Sequence, residues 1–175
     1  ENHEFKNFFC LLIAAGNDTT RYSIAMALYL IANNPKLLSD LKTNDHWDTA
    51  PDEFIRLASP TMYFRRTATC DTTLGNAEIK KNDKVILWFV SGNRDKSVFR
   101  NPHQAILSRN PNPHVSFGQG GVHFCLGIWL ARMEVKVLLQ ELSKKIQSIK
   151  ALDEPTWTRS NFICGVKSLN VRINT

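Results

Sequence analysis

Residues 117–127 read Phe-Gly-Gln-Gly-Gly-Val-His-Phe-Cys-Leu-Gly, and this stretch decides how the rest of the chain is read. Gly118, Gly120 and Gly121 permit backbone angles that residues with a Cβ avoid, and they let the backbone pass close to something flat or bulky. Cys125 lies where this loop turns into an apolar helical pattern that opens near Leu126. Amide N–H groups at a helix start have no partner within the helix and favour a thiolate over a thiol. Taken alone, a cysteine is most often a small buried hydrophobe. The glycine loop, the helix start and His123 two residues earlier favour a ligand instead.

The stretch resembles the haem-binding loop of the cytochrome P-450 family. The resemblance makes Cys125 the axial thiolate ligand of the iron of haem b. It also places Phe117, Gly118 and Gly127 against the cofactor, with His123 as a propionate contact. One residue more separates Phe117 from Cys125 than in most members, a spacing similar to that of bacterial members that oxidise branched lipids and sterol side chains.

Upstream, Phe5 to Ala32 is one long helical pattern, apolar on both sides of Asn17-Asp18-Thr19-Thr20. A polar cluster in an apolar helix must be satisfied or it destabilises the fold, and Thr hydroxyls can bond back to carbonyls one turn earlier. The bland reading is a helical Asx or Thr feature. Ala-Ala-Gly-Asn-Asp-Thr-Thr, however, resembles the family's oxygen-binding helix. Ala15 and Thr19, four apart, share a face. The resemblance sets Ala15 against the haem plane, with Asp18 and Thr19 as an acid–alcohol pair that relays protons.

Pro35 and Pro51 suit first turns of helices, and Ser59-Pro60 closes the second of these. Glu53 and Arg56 are an i,i+3 pair, which in an anonymous helix is a solvated surface pair. Here they match the family's ExxR motif, with Arg109 expected as the third member of a structural charged network. Thr61 to Thr69 reads as strand, and Thr72 to Val90 as a hairpin with turns at Leu74-Gly75-Asn76 and Lys81-Asn82-Asp83. Asn82 tolerates the left-handed conformation. By resemblance Met62 and Phe64 face the substrate, Arg66 pairs with a propionate, and Phe162 and Ile163 reach the same pocket. Leu126 to Ile149 reads as a helix buried over its first half, with Arg132, Lys136, Gln140 and Lys144 as a solvated stripe. That stripe is a candidate dock for an acidic electron carrier. Ser160 to Ile173 reads as a closing hairpin.

Composition narrows the field. The formal charge is +6 and the isoelectric point about 9.3, yet no Lys- and Arg-rich run points to nucleic acid. Cysteines 10, 70, 125 and 164 lack metal-finger spacing and fit a reducing, cytoplasmic setting. The apolar run Phe8–Ala15 is too short to be a membrane segment, and no signal peptide is visible. The expected fold class is mainly α with small β-sheets. A complete family member is more than twice this length and all the motifs here belong to its C-terminal half. Residues 1–175 are therefore expected to be the C-terminal part of one domain, the N-terminal half being absent and the fragment inactive alone. The expected function is haem-thiolate monooxygenation of an apolar small molecule (terpenoid, branched lipid or steroid-like), with electrons from a ferredoxin-type donor. The rival is a haem-binding protein without turnover, or an inactive truncated paralogue.

Overall fold

A computed structural model describes residues 2–175. Helix α1 (Asn2–Asn33) runs unbroken through the polar cluster at residues 17–20. Its C-terminal third packs inward through Tyr22, Ser23, Ala27, Ile31 and Ala32, while Phe5, Phe8, Phe9, Leu11, Leu12 and Ile13 are exposed. Pro35 opens α2 (Pro35–Thr43). Pro51 sits in the first turn of α3 (Ala50–Ala58), and Ser59 ends that helix in the left-handed region at φ 45°. Within the core, Ala27 and Ile31 of α1 meet Leu38 and Leu41 of α2, Phe54 and Ile55 of α3, and Leu107. Val135 and Leu139 join them from α5 (Ile128–Lys145).

Four two-stranded antiparallel sheets complete the fold. Strand β1 (Tyr63–Thr67) pairs with β4 (Lys84–Trp88), Tyr63 opposite Trp88 and Thr67 opposite Lys84. Between them β2 (Thr72–Leu74) and β3 (Ala77–Ile79) form a short hairpin. Residues 72–90 are thus not one hairpin, as expected from the turn signals. Asn82, at φ 75°, turns the chain back, with Asn82 N–H bonding to the Ala68 carbonyl at 2.8 Å, so that the last strand returns to β1. A single helical turn, α4 (Phe89–Gly92), follows β4.

The expected helix over 126–149 is shorter at both ends. Gly127 is the N-cap, and its carbonyl accepts the first intrahelical bond from Ala131 at 2.9 Å. At the other end Ile146 turns extended, and β5 (Ser148–Ala151) pairs with β8 (Val171–Asn174). Leu142, Ile146 and Ile149 keep helical spacing, so periodicity alone could not mark the change. Nor is the first half of α5 deeply buried. Leu130, Met133 and Val137 are about half exposed and Trp129 is 76% exposed, because no described element covers that face. The expected hairpin over 160–173 is also corrected. Its strands pair outward instead, β7 (Val166–Ser168) with β6 (Thr156–Trp157) and β8 with β5, where Ile149 faces Ile173 and Ala151 faces Val171. Among the described residues no helix is long and apolar enough to cross a membrane.

Candidate active site

Helix α3 carries a buried charged network. Glu53 and Arg56 are both fully buried on α3 and form a two-pronged pair, with Nε to Oε2 and Nη2 to Oε1 each at 2.9 Å. Arg109 Nε reaches the same Oε2 at 2.9 Å, and the Ile106 N–H donates to Oε1 at 2.9 Å. Arg56 Nη1 also donates to the carbonyls of Asn93 and Pro102, each at 2.7 Å. The three expected members are therefore brought together, and their hydrogen bonds offset the cost of taking charge out of water. Burial pushes the Glu53 carboxyl up, but the bonds from Arg56, Ile106 and Arg109 outweigh it and hold it below the usual carboxylate range. A depressed folded-state value contributes stability above the unfolded-state value and loses it as pH falls through the folded one. Denaturant midpoints should accordingly drop as pH is lowered through and below the ordinary carboxylate range. A flat profile there would contradict this arrangement.

Asn93, fully buried, connects this network to the loop. Its amide donates to Ser59 Oγ and Ser116 Oγ at 2.8 Å each, and its Oδ1 accepts the Val115 N–H at 2.7 Å. This role is not legible in the sequence, because its partners Ser59, Val115 and Ser116 lie far along the chain.

The loop then crosses Phe117 to Gly127. Gly118, Gly120 and Gly121 adopt φ of 75°, 66° and 75°, where a Cβ is disfavoured. The Cys125 N–H donates to the Phe117 carbonyl at 3.0 Å, so the cysteine is pinned to the start of its own loop. That amide is not a free helix-start donor, since the N-cap falls two residues later at Gly127. Cys125 is partly exposed, and His123 and Phe124 are exposed beside it. A Cβ added at Gly127 would meet no atom of the chain. No group of three His, Cys, Asp or Glu able to hold a metal exists among the described residues. The open loop, with Val122, Phe124 and Leu126 exposed along it, has room for a flat apolar group beside Cys125.

On α1, Thr19 Oγ1 donates to the Ala15 carbonyl at 2.8 Å, which ties together the two residues expected on one face. Gly16 leaves open space where a Cβ would be. Asp18 pairs with Arg21 at 2.9 Å in an exposed contact of roughly 0–1 kcal/mol. Met62, Phe64, Phe162 and Ile163 are gathered at one place. The Met62 N–H donates to the Phe162 carbonyl at 2.9 Å, Thr61 bridges Ile163, and the Phe64 and Phe162 rings meet edge-on at 5.8 Å. Tyr63 extends this cluster against Phe162 and Trp88, aromatics that sequence reading did not assign. Met62 also lines an open groove of about 600 Å³. Ile163 and Asp18 line one cavity of about 140 Å³. Arg66 is exposed on β1, its guanidinium 6.0 Å from the centre of the Phe64 ring.

The stripe on α5 is not simply solvated. Arg132 Nε donates to Asp52 Oδ1 and Lys136 Nζ to Asp48 Oδ1, each at 2.7 Å, so its first two members tie α5 to the start of α3 and the turn before it.

These features agree with comparisons to known proteins. The sequence model of cytochrome P-450 matches residues 48–147. A methyl-branched lipid omega-hydroxylase of Mycobacterium bovis is 42% identical over 97% of this chain and 40% of its own length. A steroid C26-monooxygenase of Mycolicibacterium smegmatis is 38% identical over 96% of this chain and 39% of its own. Among solved structures, a Mycobacterium marinum cytochrome P-450 in complex with pseudoionone superposes with a TM-score of 0.86 at 42% identity, covering 94% of this chain and 40% of that one. A Bacillus megaterium protein solved with corticosterone gives 0.92 at 32% identity over 100% of this chain and 48% of that one. The chain spans about 40% of the length of the curated relatives it matches. With the glycine loop linked through Asn93 to the buried ExxR network, and with a family match covering more than half its residues, the chain belongs to the cytochrome P-450 family.

Proposed function

We propose that residues 1–175 are the C-terminal part of one cytochrome P-450 domain, holding haem b through Cys125 in a monooxygenase for apolar substrates. The observation that carries this reading is the Cys125 loop, pinned to Phe117 and linked through Asn93 and Ser116 to the buried Glu53–Arg56–Arg109 network. When bound, a haem with a thiolate ligand supplies electron density that favours O–O cleavage. The chain's own residues hold, shield and protonate. Cys125 would supply the ligand, and Phe117, Gly118 and Gly127 would give the haem room. Ala15 would offer it a small-residue face, and Arg66 and His123 would hold its carboxylates. Asp18 would take a proton from solvent and Thr19 would pass one on once its hydroxyl turns from the Ala15 carbonyl.

The gathered apolar side chains of Met62, Phe64, Phe162 and Ile163 support a methyl-branched lipid, steroid-like molecule or terpenoid as substrate. The names of the mycobacterial relatives point the same way. A ferredoxin-type protein is the proposed electron donor. Titrating the full-length holoprotein with each substrate class should perturb the haem spectrum for one of them and yield its hydroxylated product under turnover. Absence of both with all three classes would count against the substrate reading.

Thr19→Ala tests the proton role separately. Haem content and substrate affinity should stay near wild type, while product formed per electron falls several-fold and the remaining electrons appear as peroxide or water. Unchanged product per electron would remove Thr19 from the relay.

A further inference from the structure

A second acidic residue on α3, Asp52, makes contacts that neither the ExxR network nor the haem ligand accounts for. Its Oδ1 accepts from Arg132 Nε of α5 at 2.7 Å and lies 3.2 Å from His114 Nε2. The His114 side chain is only 2% exposed, so this is not a casual surface pairing. Both partners then close on one ring. The Arg132 guanidinium lies 5.5 Å from the centre of Phe117, and the His114 ring is 5.6 Å from the same centre. Arg132 is covered on a further side by Trp129, at 5.2 Å, which gives that large exposed side chain a role. Phe117 is the residue whose carbonyl accepts the Cys125 N–H at 3.0 Å.

A continuous physical path therefore runs from one carboxylate, through a cation and an imidazole, to an aromatic ring, and from that residue's backbone to the cysteine amide. Burial pushes the Asp52 carboxyl up, but the hydrogen bonds from His114 and Arg132 outweigh it and keep it below the ordinary range. The clamp is thus charged at neutral pH on its acidic side, and a carboxylate can accept from both partners at once.

We infer that Asp52 is a positioning residue for the haem ligand: through Arg132 and His114 it grips Phe117 and so fixes the backbone on which Cys125 is presented. The inference rests on the reading of Cys125 as the ligand. Asp52 acts through other residues and touches neither iron nor substrate. Outer partners that orient a ligand typically change metal retention by roughly 10–100-fold when removed.

The test compares Asp52→Asn, Asp52→Glu, Arg132→Gln and His114→Gln with wild type in the full-length holoprotein. Three readouts are taken: the rate of haem transfer to an excess of apomyoglobin, the share of the reduced carbon monoxide complex with the long-wavelength Soret band of thiolate ligation, and helix content by circular dichroism. Asp52→Asn keeps the shape and an accepting oxygen but removes the negative charge that faces the Arg132 cation, which weakens the charge-assisted bonds to that oxygen. It should release haem roughly 10–100-fold faster and lose part of the thiolate band at unchanged helix content. Asp52→Glu should restore both, and Arg132→Gln and His114→Gln should fall between. If Asp52→Asn does not fold, the two partner variants carry the test, since each leaves the carboxylate in place. Wild-type release rates and band shares in the variants that fold would overturn the clamp. So would haem loss that merely follows helix loss. A wild-type protein without the thiolate band would instead overturn the Cys125 reading, which keeps the two failures apart.

Discussion

Replacing Cys125 by serine in the full-length protein is expected to abolish the long-wavelength Soret band of the reduced carbon monoxide complex. Serine keeps nearly the same volume and leaves the Cys125 N–H bond to the Phe117 carbonyl geometrically possible, so the loop itself need not change. What is lost is a soft, anionic sulfur donor, since an alcohol oxygen is protonated at neutral pH and donates little charge to iron. Any haem that remains should show a short-wavelength band of neutral ligation, and monooxygenase turnover should vanish. Cys10, Cys70 and Cys164 provide internal controls. Cys10 and Cys70 are exposed on α1 and after β1, and Cys164 stands beside Tyr22, where burial pushes its thiol up. None has a glycine loop before it. Serine at any of these three should leave the band intact. A band that survives Cys125→Ser, or disappears with one of the others, would move the ligand elsewhere.

Parts of the site were legible in sequence because they are local. The glycines before Cys125, the Pro51 start and Ser59 stop of α3, the left-handed Asn82 and the back-bonded Thr19 each depend on a few neighbouring residues, and each has the local geometry its residue types imply. What could not be read is non-local. His114 and Arg132 stand 62 and 80 residues from Asp52, and nothing in a charge pattern along α5 distinguishes a stripe facing water from one facing α3. Strand pairing failed for the same reason. The β1–β4 ladder encloses a complete hairpin, and the strands of the 160–173 segment pair with two earlier strands rather than with each other. The end of α5 was misread for a different cause. Leu142, Ile146 and Ile149 satisfy helical spacing, and only the competing ladder with Val171–Asn174 breaks the helix.

Glu53→Ala is expected to be the most damaging change outside the ligand, and the order of its neighbours follows from who is left without a partner. Removing Glu53 strips Arg56, Arg109, the Ile106 N–H and Asn112 Nδ2 of an acceptor in one step. Arg56 has a fully buried side chain and cannot turn to water. Breaking such a pair costs on the order of 3–5 kcal/mol, a large share of the roughly 5–15 kcal/mol that holds a domain together. Arg56→Ala leaves Glu53 still bonded to Arg109, but it frees the carbonyls of Asn93 and Pro102 and opens a cavity under Phe99, whose ring the guanidinium covers at 5.0 Å. Arg109 is 8% exposed and sits at the edge, so its loss leaves the main pair in place and should cost the least of the three. Purified full-length variants should therefore lose haem and thermal stability in the order Glu53→Ala, Arg56→Ala, Arg109→Ala, with the first two recovered mainly as apoprotein or aggregate. Because Asn93 joins Arg56 to residues 115 and 116, the damage should reach the Cys125 loop even though no network side chain belongs to it. Haem content by absorbance and unfolding by calorimetry decide the matter. A stable, haem-replete Glu53→Ala protein, or one less damaged than Arg109→Ala, would show that this network does not hold the loop in place.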